Sequence, residues 1–243
     1  MLTGRVAVIT GASRGLGAGL AESFAQQGLA LGLCSRGAPA LPDGEAVLGT
    51  RLDVSDGPAV EAFAQAVVAR FGRIDLWINN AGILDPIAPL RDISSEQFAR
   101  QLHVNVLGVV HGTQSFARHV RGRPGGGVLV NISSGAARSA YAGWSAYCAT
   151  KAAVDRLTEC VAIEEEDAGL RAHAVAPGVI DTDMQAAIRA TSEEAFPLRD
   201  KFVQMKRDEA FSTPQWVARH LLELAFGPDP GRWDVLVRLP AER

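Results

Sequence analysis

Short apolar runs alternate with amphipathic stretches along the whole chain, and this alternation predicts strands and helices in turn. The runs at residues 5–10, 29–34, 46–52, 74–78, 127–133, 170–176 and 233–237 read as strands. Between them apolar positions recur at helical spacing, as in residues 58–71, where they fall at Val60, Phe63, Ala64, Val67 and Val68. Further helices are predicted over about 18–27, 95–121 (with Ser94 or Ser95 as N-cap), 144–167 and 214–226. Strands alternating with helices throughout indicate an α/β fold: one doubly wound parallel sheet of about seven strands with helices on both faces. No internal repeat, linker or low-complexity tract interrupts it, so residues 1–243 read as a single domain.

The first run leads into Gly11-Ala12-Ser13-Arg14-Gly15-Leu16-Gly17 and then a helix. Strand, glycine turn and helix in that order suit a pyrophosphate, because glycine lets the backbone approach and the helix start offers unpaired N–H groups and positive dipole. The second run ends at Ser35-Arg36, where a site for NAD places an acid against the ribose 2′-hydroxyl. Arg36 stands there instead, and Arg14 stands inside the glycine turn. Either arginine alone would read as a solvated surface residue. Together they form a clamp for a 2′-phosphate and favour NADP(H) over NAD as cofactor.

Residues 134–151 carry the candidate chemistry. Tyr147 and Lys151 are four apart, so on a helix they share one face. An ammonium one turn away favours the phenolate and brings a tyrosine, with its ordinary pKa near ~10, toward the working range. Ser134, at the end of the fifth run, is placed to hydrogen-bond a carbonyl oxygen lying between it and Tyr147. A Tyr-x-x-x-Lys pair alone is an ordinary helix pairing, and a serine before glycine is an ordinary turn former. The three at this spacing, downstream of a nucleotide-binding turn, resemble the active site of the short-chain dehydrogenase/reductase family, and the interval to Tyr147 selects Ser134 over Ser133.

That resemblance implies a Rossmann-type domain and further roles for matching residues. Asp53-Val54 resembles the family's adenine-contacting pair, and Asn79-Asn80-Ala81-Gly82 matches its motif beside the cofactor. Within the cofactor set Gly11, Ser13, Arg14, Gly15, Leu16, Gly17, Ser35, Arg36, Asn80, Ala81, Gly82, Tyr147 and Lys151 are joined by Pro177, Gly178, Ile180 and Thr182, a segment resembling the one that holds the nicotinamide carboxamide. Asn105, in the apolar Val104-Asn105-Val106, corresponds to an asparagine that holds a water relaying protons to the lysine. Asp181-Thr182-Asp183-Met184-Gln185 with Ile188-Arg189 resembles the sepiapterin reductase and benzil reductase branch more narrowly. The implied activity is NADPH-dependent reduction of a ketone or vicinal dicarbonyl. Asn105, Ser134, Tyr147 and Lys151 would be catalytic, and residues 185–213, with short helices near 186–188 and 202–205, would cover the substrate as an apolar lid. The last strand lacks the family's usual terminal glycine pair, which questions the usual C-terminal packing.

Composition narrows the rest. Hydrophobic residues at 47% supply a core, and a net charge of −3 argues against nucleic acid or an anionic membrane as partner. No apolar run approaches a membrane span, and the start Met1-Leu2-Thr3-Gly4-Arg5 does not read as a signal peptide. Cys34, Cys148 and Cys160 show no metal spacing and suit a reducing cytoplasm; His103, His111 and His119 step by eight, and no metal site is expected. The 122–127 run reads as a flexible turn. Glu164-Glu165-Glu166-Asp167 reads as a solvated helix end of unfavourable sign, open to pairing with a neighbouring subunit. The family resemblance implies a homodimer or a tetramer built from it. Two rival functions remain: a 3-oxoacyl thioester reductase, using Arg138, Arg189 and Arg199 to hold a carrier, and a catalytically idle NADP(H) sensor, which the full catalytic set disfavours.

Overall fold

Seven parallel strands lie in the order β3-β2-β1-β4-β5-β6-β7, with helices on both faces. The computed structural model describes residues 1–242. The strands are β1 (Val6–Thr10), β2 (Ala30–Ser35), β3 (Val47–Arg51), β4 (Leu76–Asn79), β5 (Gly127–Ile132), β6 (Leu170–Ala176) and β7 (Leu236–Arg238). Strand order reverses between β1 and β4, so the chain leaves a crevice beyond their carboxyl ends, the place where open parallel sheets bind ligands. Thr10 and Asn79 end the two strands that flank it.

Burial explains the helices. α1 (Gly15–Gln26) and α8 (Pro214–Phe226) cover one face through Leu20, Phe24, Val217 and Leu221. On the other face α2 (Gly57–Phe71), α4 (Gly108–Arg121) and α5 (Ser145–Glu164) bury Phe63, Val67, Phe116 and Val161 around Trp77. α2 starts where the Asp56 carboxylate accepts from the Ala59 amide ahead of Pro58, and it stops at Gly72, whose φ of 80° is left-handed. α3 (Ser95–Leu102) opens on a capping box between Ser94 and Gln97, so Ser94 is the N-cap.

Four local expectations are corrected. Residues 95–121 are not one uninterrupted α-helix, because a π-turn at His103–Leu107 separates α3 from α4 and sits around Asn105. Apolar periodicity tolerates the extra residue, so only the tertiary bonds of Asn105 reveal it. The 122–127 turn is tethered: Arg123 donates to the carbonyls of Ile74 and Gly126 and, through Nε, to His119 Nε2 at 3.0 Å. The acidic cluster after α5 finds its cation within the chain, where Arg121 donates to Glu165 at 2.7 Å, to Asp167 at 2.9 Å and to the Glu164 carbonyl at 2.9 Å. The last strand is shorter and later than 233–237, because Trp233 packs against the core and pairing with β6 begins only at Leu236.

Candidate active site

The crevice is built by mutual bonding of β1 and β4. Thr10 Oγ1 accepts from the amides of Asn80 (3.0 Å) and Ala81 (3.1 Å), and Asn80 Nδ2 donates back to the carbonyls of Thr10 (2.9 Å) and Gly11 (3.2 Å). Gly11 has φ of 68° and lies so close to the next loop that a Cβ would stand 2.8 Å from Ala81 Cα. A Cβ on Gly17 would meet the Gly11 carbonyl at 2.4 Å, so this glycine lets α1 pack against the turn that precedes it. Across the crevice a Cβ on Gly15 would stand 3.2 Å from Thr182 Cγ2, and Ile180 shares a buried cluster with Leu16.

The residues present fit a dinucleotide. Arg14, the N-cap of α1, gives no side-chain acceptor to the first-turn amides, and no acid stands in that turn, so donors and dipole are left for an anion. Arg14 itself pairs with Asp183 Oδ2 at 2.8 Å, both side chains about three-quarters exposed. Arg36 is exposed just past β2, beyond Ser35, whose hydroxyl donates to the Gly37 carbonyl at 3.0 Å. Asp53 is partly desolvated, which raises its pKa, but bonds from the Ser55 amide and hydroxyl and the Arg36 charge hold it below the ordinary value. Beside buried Val54, a cavity of about 370 Å³ opens between Arg36, Asp53, Ser55, Arg100 and His103.

The candidate catalytic side chains converge beyond the end of β5. Ser134, extended at φ −157°, accepts the Ala136 amide at 3.1 Å, which leaves its hydroxyl proton free to be donated. Tyr147 and Lys151 are buried on the first turns of α5. Asn105 is fully buried: its Oδ1 accepts from Ile83 N at 2.8 Å, and its Nδ2 donates to the Ile83 carbonyl at 2.8 Å and Thr150 Oγ1 at 3.1 Å. Gly82 lies between them, its missing Cβ 3.4 Å from Asn105 Oδ1 and 3.9 Å from Lys151 Nζ.

The electrostatics differ from the expectation drawn from helical spacing. Lys151 Nζ donates to the Ile132 carbonyl at 2.7 Å and stands 5.7 Å from the centre of the Tyr147 ring. Burial pushes the Tyr147 hydroxyl up to about 12, with Ser134 pulling the other way. The phenol is therefore neutral at physiological pH, the form that donates a proton. Burial lowers the Lys151 ammonium to about 8, against the opposing pull of Asp155.

Sequence reasoning missed an aromatic wall behind Tyr147. Trp144 stacks on Phe196 at 4.6 Å between ring centres, tilts against Tyr141 at 5.0 Å and Phe202 at 5.6 Å, and meets Tyr147 edge-on at 5.8 Å. The lid that carries the two phenylalanines holds α6 (Asp183–Ala190) and α7 (Arg199–Arg207), both longer than expected. It closes down on Gly143, where a Cβ would lie 2.2 Å from the Ala195 carbonyl. An excess of aromatics at 141–147 was the available signal, but their partners are about fifty residues away. Two arginines of the thioester reading are engaged, Arg189 with Asp181 at 3.0 Å and Arg199 with Asp200 at 3.0 Å, while Arg138 is exposed and 3.9 Å from Asp155.

Known proteins share this architecture and part of the sequence. The short chain dehydrogenase family model matches residues 5–193. A benzil reductase ((S)-benzoin forming) of Bacillus cereus is 34% identical over 234 residues, covering 90% of this chain and 94% of that protein. A benzil reductase ((S)-benzoin forming) of Bacillus subtilis is 32% identical, covering 89% and 91%. Among solved structures, the KRED1-Pglu enzyme superposes with a TM-score of 0.87 at 28% identity, over 96% of this chain and 99% of that one.

Proposed function

The chain belongs to the short-chain dehydrogenase/reductase family, and on that footing we propose that it is an NADPH-dependent reductase of ketones and vicinal dicarbonyls, with aryl-substituted 1,2-diketones of the benzil type as preferred substrates. The observation that carries this reading is the placement of a neutral, buried phenol and a free serine hydroxyl beside an aromatic wall. A carbonyl oxygen between Ser134 and Tyr147 would take a hydrogen bond from the first and a proton from the second. The partly exposed Tyr141, with Trp144 behind it, offers a flat surface to a phenyl substituent. When bound, the nicotinamide supplies the hydride to the carbonyl carbon.

The remaining residues bind and supply. Gly11 to Gly17 would hold the pyrophosphate on the α1 amides, and Arg36 with Arg14 would take the 2′-phosphate. The Arg14–Asp183 pair is no obstacle, since exposed ion pairs contribute ~0–1 kcal/mol. Lys151 keeps N–H donors beyond its bond to Ile132 for the ribose. Both amide hydrogens of Asn105 are already spent, so a water held there must use the backbone carbonyl or the second lone pair of Oδ1.

The test is an NADPH-oxidation screen over benzil and other diketones, pterins and acetoacetyl thioesters. Turnover of benzil well above the thioesters is expected. Preference for the thioesters would return the carrier-bound reading, and NADPH binding without turnover of any class would return the sensor. We also propose a homodimer or tetramer, since Leu102 before the π-turn, Leu107 at its end and Ile163 on α5 leave apolar side chains in water. Light scattering at micromolar concentration should give at least a dimer mass; a monomer mass would reject it.

A further inference from the structure

Three consecutive residues at the end of β5 are each held by a residue of α5. The Ile132 carbonyl takes the bond from Lys151, Ser134 faces Tyr147, and between them Ser133 donates its hydroxyl to Asp155 Oδ1. Asp155 follows Lys151 by one helical turn, its side chain 13% exposed, and Ser133 is itself 5% exposed. The Ser133 amide donates to the Val175 carbonyl at 2.8 Å, so the backbone here is fixed from the β6 side as well. A buried carboxylate needs partners, and this one has a hydroxyl on Oδ1, the exposed Arg138 3.9 Å from Oδ2, and the charge of Lys151 one turn away. The pair does more than fill space: it pins the residue that precedes Ser134 and places a negative charge on the face of α5 that carries the buried ammonium.

We propose that Asp155 is a positioning residue of the reaction, fixing the aim of Ser134 through Ser133 and keeping Lys151 protonated in its buried site. The ionisable groups that face this region are Tyr147, Cys148 and Asp155 itself on α5, and Arg138 on the turn after β5. Asn105 on the π-turn and Gly82 on the loop after β4 contribute no charge. Asp155 alone among these opposes desolvation of the ammonium, and Arg138 is too exposed to cancel it. Asparagine at 155 would still accept the Ser133 hydroxyl but carry no charge, whereas Ser133→Ala removes the bond and leaves the charge. The two functions therefore separate by substitution.

Lys151, Lys201 and Lys206 are the only lysines in the chain, so protein labelled with 13C at lysine Cε gives a spectrum in which Lys151 is assigned by its loss in Lys151→Met. In the unaltered protein this signal should titrate near 8. Asp155→Asn should move it down by about one pH unit, and Asp155→Glu should restore it. Ser133→Ala, with its fold checked by circular dichroism, should keep the Lys151 titration and lower kcat for benzil about tenfold at unchanged KM for NADPH. The kcat arm rests on the substrate reading above; the titration needs no turnover and stands apart from it. An unmoved Lys151 signal in Asp155→Asn, or full kcat in Ser133→Ala with benzil turned over by the unaltered enzyme, would overturn the proposal.

Discussion

Tyr147→Phe should reduce carbonyl-reducing turnover by ~10²–10⁴-fold, the usual contribution of a positioned general acid, with NADPH binding nearly unchanged. The substitution removes only the hydroxyl, and the ring keeps its edge-on contact with Trp144 at 5.8 Å, so circular dichroism should show an intact fold. The pH dependence follows from burial. Tyr147, at about 12, stays protonated through the neutral range, while Lys151, at about 8, loses its proton within an accessible window. Reduction consumes a proton, so the reductive kcat should be level below pH 8 and fall as pH rises through about 8. Oxidation of the alcohol should change in the opposite sense. Near-normal turnover for Tyr147→Phe would mean that another group donates the proton, and a rate that falls only above the ordinary tyrosine pKa would remove Lys151 from the relay.

Arg36→Asp should lower kcat/KM with NADPH relative to NADH by roughly 10–100-fold. A hydrogen bond to a charged group contributes ~1.5–3 kcal/mol, and the introduced carboxylate repels a 2′-phosphate while accepting from a 2′-hydroxyl. The exposed position of Arg36 makes folding effects small. Equal kcat/KM for the two cofactors in the unaltered protein would sink the assignment before any substitution is made.

What the sequence displays and what it hides divide along a physical line. Chemistry carried by spacing within one element is legible: the Gly11 to Gly17 turn follows a strand and opens a helix, and Tyr147 and Lys151 share a face of α5. The parallel order of the strands follows from their alternation with helices. Interactions that join distant segments leave no local trace. The π-turn at Asn105 exists because its carboxamide is bonded to Ile83, 22 residues earlier in the chain. Arg121 meets an acidic cluster 44 residues on, and a helix end that looks electrostatically wrong in isolation is satisfied in the fold. Helical spacing put an ammonium beside the phenol, but it could not show that Lys151 turns to the Ile132 carbonyl and that desolvation, not the cation, governs Tyr147. A buried polar ladder was equally hidden: Trp77 Nε1 donates to Asn79, Asn79 to Asn131 and Asn131 to Thr158.

The most direct measurement follows the hydride itself. With benzil as substrate and NADPH carrying deuterium at both C4 positions, the account predicts benzoin with one deuterium on the carbinol carbon, formed in step with cofactor oxidation and lost together with it in Tyr147→Phe. Benzoin without deuterium, or oxidation of the cofactor with no reduced product, would contradict it.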